Sequence, residues 1–461
     1  MALSGLQIYK YLPGGQKPPH PKANCKECGY PTCLAFAMKL AAKQAELSAC
    51  KYVSDSARAE LESASAPPIR LITISSDGHK VEVGNETVLF RHEKTFYHPT
   101  GLFVRVRDTQ PRAAVQALVR QVEDFTVEYV GIPLRLNGFA VEAASGNAEA
   151  FAACVATVTA ESKLPLILMA REAGIMAAGL KQAPGRVPLL YAADQGNWQA
   201  MAALAKEHKA PLAVRADTDL GALAALTEQI KGAGVEDLVL DPGARGFRDS
   251  LHALTHIRRL ALKKTFRPLG YPVITFPGEG TPGPEQESLL AGQQIAKYAG
   301  LVVLDHFSPA TAYALLVLRQ NLYTDPQKPI QVEPGIYPLN NPQPESPVLV
   351  TTNFSITYFS VANEIESSGL PAWLLVADAE GMSVLTAWAA GKFDADKIAK
   401  TVRNTGIADK VSRRVVIIPG HVAVLLGELE EELSDWRVLV GPREAVDIPA
   451  FLKTLEARVA V

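Results

Sequence analysis

Residues 166–240 read LILMAREAGIMAAGLKQAPGRVPLLYAADQGNWQAMAALAKEHKAPLAVRADTDLGALAALTEQIKGAGVEDLVL. Four short apolar runs recur at regular spacing: Leu166–Met169, Leu189–Tyr191, Leu212–Val214 and Leu238–Leu240. Helical patterns such as LGALAALTEQIKGAG lie between them. Alternation of this kind is the signature of βα units and a parallel sheet. It continues outward, with strands expected at Phe103–Val106, Val127–Val130, Val273–Phe276 and Val302–Leu304 and helices at AAVQALVRQVEDF and NAEAFAACVATVTAE. Eight such units over about 220 residues match the size of a (β/α)8 barrel, ~250 residues. Ahead of them, segment 70–100 contains the alternating KVEVGNETVLF and predicts a hairpin that closes the bottom of the barrel.

Beyond the barrel, residues 323–347 hold seven prolines in YTDPQKPIQVEPGIYPLNNPQPESP. Neither a helix nor an inner strand tolerates that density, so an extended linker is expected. Residues 348–461 alternate again. Strands are expected at Val348–Thr351, Trp373–Ala377, Val415–Ile418 and Val438–Val440, and helices at Phe354–Ser367, Ser383–Ala390, Ala395–Thr405, Ala423–Leu433 and Ile448–Val459. Four strands suit a small doubly wound, flavodoxin-like sheet. The expected organisation is therefore α/β throughout: a small head at 1–60, a TIM barrel at 61–322, the linker at 323–347 and the sheet domain at 348–461.

The head carries the most unusual chemistry. Of five cysteines in 461 residues, four are Cys25, Cys28, Cys33 and Cys50, spaced C-x2-C-x4-C-x16-C. Four gathered thiolates suit a soft metal centre. Zinc sites usually show paired C-x2-C knuckles, and here only one pair is close, so an iron–sulfur cluster is the reading and structural zinc the alternative. A helix is expected from Thr32 to Glu46, with Cys33 in its first turn, where backbone N–H groups favour an anionic thiolate. Residues 51–68 read as a linker ending in Pro-Pro, leaving a head with little core of its own. Cys154 lies in the apolar FAACVATV and reads as a core thiol.

The net charge of -2 gives no electrostatic reason to expect nucleic acid or an anionic membrane as partner. No apolar run reaches the ~20 residues of a membrane span, and no secretory signal follows Met1. Disulfides are not expected, and the cytoplasm is the expected compartment.

Ligands of open α/β sheets bind outside the carboxyl ends of the strands. Those ends carry Thr351, Thr352, Asn353 and Ser355 with Thr357; Gly381, Met382, Ser383, Val384, Leu385 and Thr386; Gly420 beside His421; and Gly441, Pro442, Arg443 and Glu444. Glycines let a ligand approach the backbone, and the hydroxyls and amides hydrogen-bond it. Ordinary turn and helix-cap chemistry accounts for the same residue types. His421 is a candidate metal ligand or a loop residue. In the barrel, Arg171, Asp194, Asp217, Asp241 and Asp305 follow strands and read as N-caps or as a site mouth, with Asp217 resembling a cap. FPGEGTPGPEQES, residues 276–288, lacks the Lys-Ser/Thr of a phosphate loop.

C-x2-C-GYPTC with its distant fourth cysteine, TTNFSITYF, GMSVLTAWAAGKF and LVGPREAVDIP resemble, over the full length, the large (gamma) subunit family of the corrinoid/iron–sulfur protein of the reductive acetyl-CoA pathway. The resemblance implies a [4Fe-4S] cluster on Cys25, Cys28, Cys33 and Cys50. It implies a corrinoid, a base-off cobamide, held by the strand-end residues named above. It implies a heterodimer with a smaller corrinoid/iron–sulfur protein subunit. Co(I) would accept a methyl group from methyltetrahydrofolate through a separate methyltransferase and pass it to acetyl-CoA synthase/CO dehydrogenase, and the cluster would reactivate Co(II). No residue of this chain is then catalytic in its own right, and the chain is a carrier within methyltransferase reactions. The D-x-H-x-x-G motif that supplies a cobalt-ligating histidine in other corrinoid proteins does not occur. Without a strong lower ligand, Co(I) is easier to reach. Ser383 or Thr386 would face the lower side. The alternative is a barrel methyltransferase that binds the methyl-pterin itself. A third reading is a redox subunit without corrinoid.

Overall fold

The computed structural model describes residues 4–18, 20–41, 44–58, 61, 67–324 and 330–455. They form two compact units: residues 1–89, 97–120 and 137–307 in one, and 90–96, 121–136 and 308–461 in the other. Among the described residues no helix is long and apolar enough to cross a membrane.

In the first unit, β1 (Ile72–Ser76) and β2 (His79–Val83) make an antiparallel hairpin. After β3 (Gly101–Arg107), the hairpin β4 (Val127–Tyr129) and β5 (Ile132–Leu134) belongs to the second unit. The parallel series resumes with β6 (Gly138–Glu142), β7 (Leu166–Met169), β8 (Leu189–Ala193), β9 (Leu212–Arg215), β10 (Leu238–Asp241), β11 (Ile274–Thr275) and β12 (Leu301–Leu304). The eight strands lie in the order β10-β9-β8-β7-β6-β3-β12-β11, and a parallel bridge from Leu240 to Val273 brings the two ends together as a nearly closed barrel. The interior is filled by Phe103, Ile167, Leu189, Val239, Leu301 and Val303. Ile72, Ile74, Val81 and Val83 join that cluster, and Ser75 bridges to Val187, which precedes β8. The β1–β2 hairpin thus seals the bottom, as its alternating sequence predicts.

One predicted barrel strand is misplaced. Val127–Val130 has β-branched strand character, but it turns back at Val130-Gly131 and pairs with 132–134. Both turn residues have positive φ, 51° and 81°, the two-residue geometry that matches hairpin twist. The barrel position is taken by Gly138–Glu142, where the Gly138 Cα lies against the Pro165 carbonyl, leaving no room for a Cβ.

In the second unit, β13 (Gly335–Leu339), β14 (Val348–Thr352), β15 (Ala372–Ala377), β16 (Val415–Ile418) and β17 (Arg437–Val440) form one sheet in the order β13-β15-β14-β16-β17. The last four are mutually parallel with the flavodoxin-like order of a doubly wound fold. Hydrophobic clusters cover both faces, one around Leu375, Phe393, Ile398 and Leu429, the other around Ile365, Leu374, Phe451 and Leu452. The fifth strand, β13, was not expected. It lies within the proline-rich stretch and pairs antiparallel with β15 at the edge of the sheet, where Pro338 is tolerated. Residues 325–329 of that stretch, and residues 59, 60 and 62–66 of the expected linker at 51–68, lie outside the described residues.

The β4–β5 turn packs on its own unit. The Val130 carbonyl accepts from the Glu333 amide at 3.1 Å, and Val130 is buried. A Cβ on Gly131 would stand 2.5 Å from the Tyr337 hydroxyl. Gly131→Ala therefore adds a crowded contact to a left-handed backbone and costs about 2 kcal/mol or more. Urea unfolding should show the loss in the C-terminal transition, with the barrel transition unchanged.

Candidate functional site

The four head cysteines surround a single small gap of about 10 Å³. Cys33 is buried at the start of helix Cys33–Ala41. Thr32 accepts the Ala35 amide at 3.0 Å, which stops the helix from starting earlier. The helix ends short of the Glu46 expected from propensity. Asn24 pins the cysteine loop to it: its side-chain oxygen accepts the Cys33 amide at 2.8 Å, and its own amide donates to Cys33 Sγ at 3.3 Å. Asn24, Lys26 and Gly29 all have positive φ, so the loop curls around Cys25 and Cys28. Cys50 follows a short 3-10 turn and is buried with Leu12, Phe36, Ala37 and Val53. The head thus has a compact core of its own, more than its sequence suggests. Burial pushes the Cys50 thiol up, a backbone bond from Tyr52 opposes this, and the neighbouring Cys28, Cys33 and Cys25 raise it further. Among the described residues no three Cys, His, Asp or Glu side chains converge as a single ion would require. Four thiols facing a common gap suit the separated corners of a cubane.

In the second unit a cavity of about 310 Å³ opens between β14 and β16, where the strand order reverses. Binding crevices of doubly wound sheets form at such a point. Thr351, Thr357, Ser383, Val384 and Leu385 line one side, and Gly441, Pro442, Arg443 and Glu444 the other. Thr351 is fully buried, and its hydroxyl has no protein partner. A buried hydroxyl left in that state is costly and is a position for a ligand acceptor or donor. The buried Thr352 hydroxyl is also unpartnered, but it does not line the cavity.

Asn353 has a different task. Its side-chain oxygen accepts the amides of Ala379 at 2.9 Å and Gly381 at 3.0 Å, and its amide reaches Asp378 and Gln331. It ties the end of β14 to the loop after β15. Gly381, at φ 72°, lies against Gln331. Met382 packs on the core. Ser383 and Thr386 share a 3.0 Å hydrogen bond, with Ser383 at the cavity and Thr386 exposed outside it. The Gly420 amide donates to the Pro442 carbonyl at 2.9 Å and joins the last two loops. Ser355 begins helix Ser355–Ser368 and does not line the cavity. His421 does, with its Nε2 3.8 Å from Glu444. Ile356, Ser360 and Ile448 also line it and were not singled out by sequence. The signal was available for Ile356 and Ser360, one helical turn apart on the face that carries Thr357.

At the barrel mouth the strand-end charges neutralise one another. Arg105, 3% exposed, contacts Glu142, Glu279 and Asp305, and Arg107 holds Asp305 and Glu142. Asp241, fully buried, accepts the Tyr191 hydroxyl at 2.6 Å and both nitrogens of Arg245 at 3.0 Å. Burial, then Asp241, drives the Tyr191 phenol well up, so it stays a donor. Burial works against the Arg245 charge, yet Asp241 and Glu279 raise its pKa. Phe276 lies about midway, 5.1 Å from the guanidinium of Arg105 and 5.0 Å from that of Arg245. These acids are not the helix caps their sequence positions allow. Asp219 caps helix Leu220–Gly232, whereas Asp217 pairs with Arg215 at 3.0 Å, and Asp194 closes its own loop onto the Gly196 amide.

A family model described as the CO dehydrogenase/acetyl-CoA synthase delta subunit matches residues 71–452, and an iron–sulfur cluster model matches residues 21–52. The chain is 46% identical over 453 residues to the corrinoid/iron-sulfur protein large subunit of Moorella thermoacetica, covering 98% of this chain and 99% of that protein. It is 35% identical over 470 residues to the acetyl-CoA decarbonylase/synthase complex subunit gamma of Archaeoglobus fulgidus, covering 98% of each. Among solved structures, dihydropteroate synthase from Thermus thermophilus aligns with 54% of this chain and 99% of its own at a TM-score of 0.37 and 20% identity.

Asn353→Ala removes an acceptor shared by two buried amides. Leaving both unmet costs about 2–4 kcal/mol. Hydrogen exchange should accelerate in residues 378–383 while the barrel amides stay protected.

Proposed function

The chain belongs to the family of large, or gamma, subunits of corrinoid/iron–sulfur proteins, and from that premise we propose that it is a methyl carrier of the acetyl-CoA pathway. The observation that carries this reading is the partnerless Thr351 hydroxyl in a crevice at the strand-order reversal, in the same chain as a four-cysteine gap. When bound, a corrinoid supplies a cobalt that exchanges methyl groups, and a [4Fe-4S] cluster supplies single electrons.

The residues present fit both groups. Cys25, Cys28, Cys33 and Cys50 hold the cluster as thiolates. Thr351 meets a polar group of the corrinoid, Ser383 and Thr357 offer further hydroxyls, and Ile356 and Leu385, 66% and 47% exposed, offer apolar contact at the mouth. A corrinoid is larger than 310 Å³, so the site includes the cavity and this apolar rim. Thr352, Asn353, Gly381, Met382, Gly420 and Thr386 shape the loops, and Gly441, Pro442, Arg443 and Glu444 form the far wall. The base-off form and the absence of a histidine ligand belong to the same reading. The rim suits cover by the smaller subunit, and the methyl group would come from methyltetrahydrofolate through a methyltransferase and leave to acetyl-CoA synthase.

The alternative, a barrel enzyme that binds the methyl-pterin itself, draws on the cavity of about 1190 Å³ at the barrel mouth. One strand-end acid, which does not line that cavity, is not free to take a ligand. Asp241, the buried acid at the mouth, is already occupied by Arg245 and Tyr191.

Protein purified without oxygen beside its partner should contain about four irons and one cobalt per chain. Iron without cobalt would leave only an electron-transfer subunit, and zinc in place of iron would end the redox reading. Thr351→Val should weaken corrinoid retention about five- to tenfold, the loss of one hydrogen bond. Cys25→Ala should deplete iron while methyl acceptance by chemically reduced protein persists.

A further inference from the structure

The chain is electrically lopsided. Residues 1–61 hold eight basic side chains against four acidic ones, a net charge of +4 in a chain whose total is -2, which leaves -6 on the remainder. Lys10, Lys17, Lys22, Lys26, Lys39 and Lys51 are all exposed. Two of them, Lys22 and Lys26, line the same gap as the four cysteines. Cys33 and Cys50 are buried, whereas Cys25 and Cys28 are partly exposed. The solvent-facing edge of the cysteine gap is therefore segment 22–28, which carries Lys22, Lys26 and the exposed Glu27.

Lys22 and Lys26 against Glu27 leave this edge with a net charge of +1. Lys26 has φ 67°, a backbone conformation that glycine or asparagine adopts at less cost. Lys22 is held over the Tyr52 ring at 5.7 Å and near Glu27 at 3.8 Å.

We propose that the Lys22–Lys26 edge of the head is the docking surface for an acidic one-electron carrier protein. The inference rests on the cluster reading of the thiols. One electron leaves the reduced centre of the carrier and enters the oxidised cluster, with no proton or group transferred. Transient redox encounters use small interfaces, so charge complementarity supplies the orientation and the encounter rate that apolar area does not. A -6 remainder on the same chain makes orientation selective, because an acidic carrier is repelled elsewhere.

The test uses the intact heterodimer with both cofactors and, as probe, a small acidic iron–sulfur carrier in its reduced state. Stopped-flow measurement should show a rate of cluster reduction that falls about tenfold or more from low to high salt. Lys22→Glu with Lys26→Glu should lower the low-salt rate about tenfold at unchanged iron content, while reduction by methyl viologen radical, a small cation, is unchanged or faster. Carbodiimide cross-linking followed by mass spectrometry should join carrier carboxylates to Lys22 or Lys26. The salt dependence and the cross-links need only the unaltered protein, so a variant that loses its iron does not obscure the result. A salt-independent rate, or cross-links confined elsewhere, overturns the docking surface. So does a variant that takes up electrons normally but no longer passes them to the corrinoid, because the lysines would then face their own chain. Parent protein without iron fails the cluster reading itself, a distinct outcome.

Discussion

Parallel strands point their carboxyl ends one way, and both units of this chain inherit that polarity. In the sheet domain, it gathers the loops after β14, β15, β16 and β17 at one end, where the reversal between β14 and β16 leaves a crevice. In the barrel, it gathers Arg107, Glu142, Arg215 and Asp241 at one rim. Strand direction thus fixes where chemistry is possible before any side chain is chosen. The two units then use that end differently. The sheet domain keeps a buried hydroxyl unpartnered, and the barrel cancels its charges internally.

The cancellation at the barrel mouth has a physical logic. Charges buried in a low-dielectric interior are tolerated when each is paired and hydrogen-bonded. Arg105 meets three carboxylates and Asp241 meets a guanidinium and a phenol. Removing one partner would strand the others, so the network holds the rim as a unit. The charges of Arg105 and Asp241 are thus committed to their partners, beside a cavity of about 1190 Å³ that still opens at that mouth.

Much of this was legible in the sequence, and the failures have causes. Continuous apolar runs such as Leu166–Met169 and Leu238–Leu240 marked the barrel strands because both their faces are buried. Val127–Val130 misled because Val-Gly is not a recognised hairpin dipeptide, although Val130 adopts φ 51° here. Gly335–Leu339 was hidden by proline density, which forbids an inner strand but not an edge one. In the candidate site, the loops were legible from their glycines and hydroxyls, and strand polarity placed them together. The division of labour within TTNFSITYF was not legible. Nothing in the string distinguishes Thr351, turned to the cavity, from Thr352, buried outside it, or shows that Asn353 serves the loop. Ile356 and Ser360 were missed although they share the helix face that carries Thr357. Asp217 and Asp219 differ by two positions, and only the helix start decides which one caps.

The edge strand β13 has a consequence for how the chain survives before its partners arrive. An open sheet edge is a template on which another chain can add a strand, and repeated addition ends in aggregation. Here β15 is shielded by a short strand of five residues that runs against the rest and carries Pro338. Antiparallel direction breaks the parallel hydrogen-bond rhythm, and proline brings no amide donor for a newcomer. The proline-rich stretch that disguised this strand in the sequence thus acts as a selvedge along the β15 side of the sheet, while β17 ends the other side.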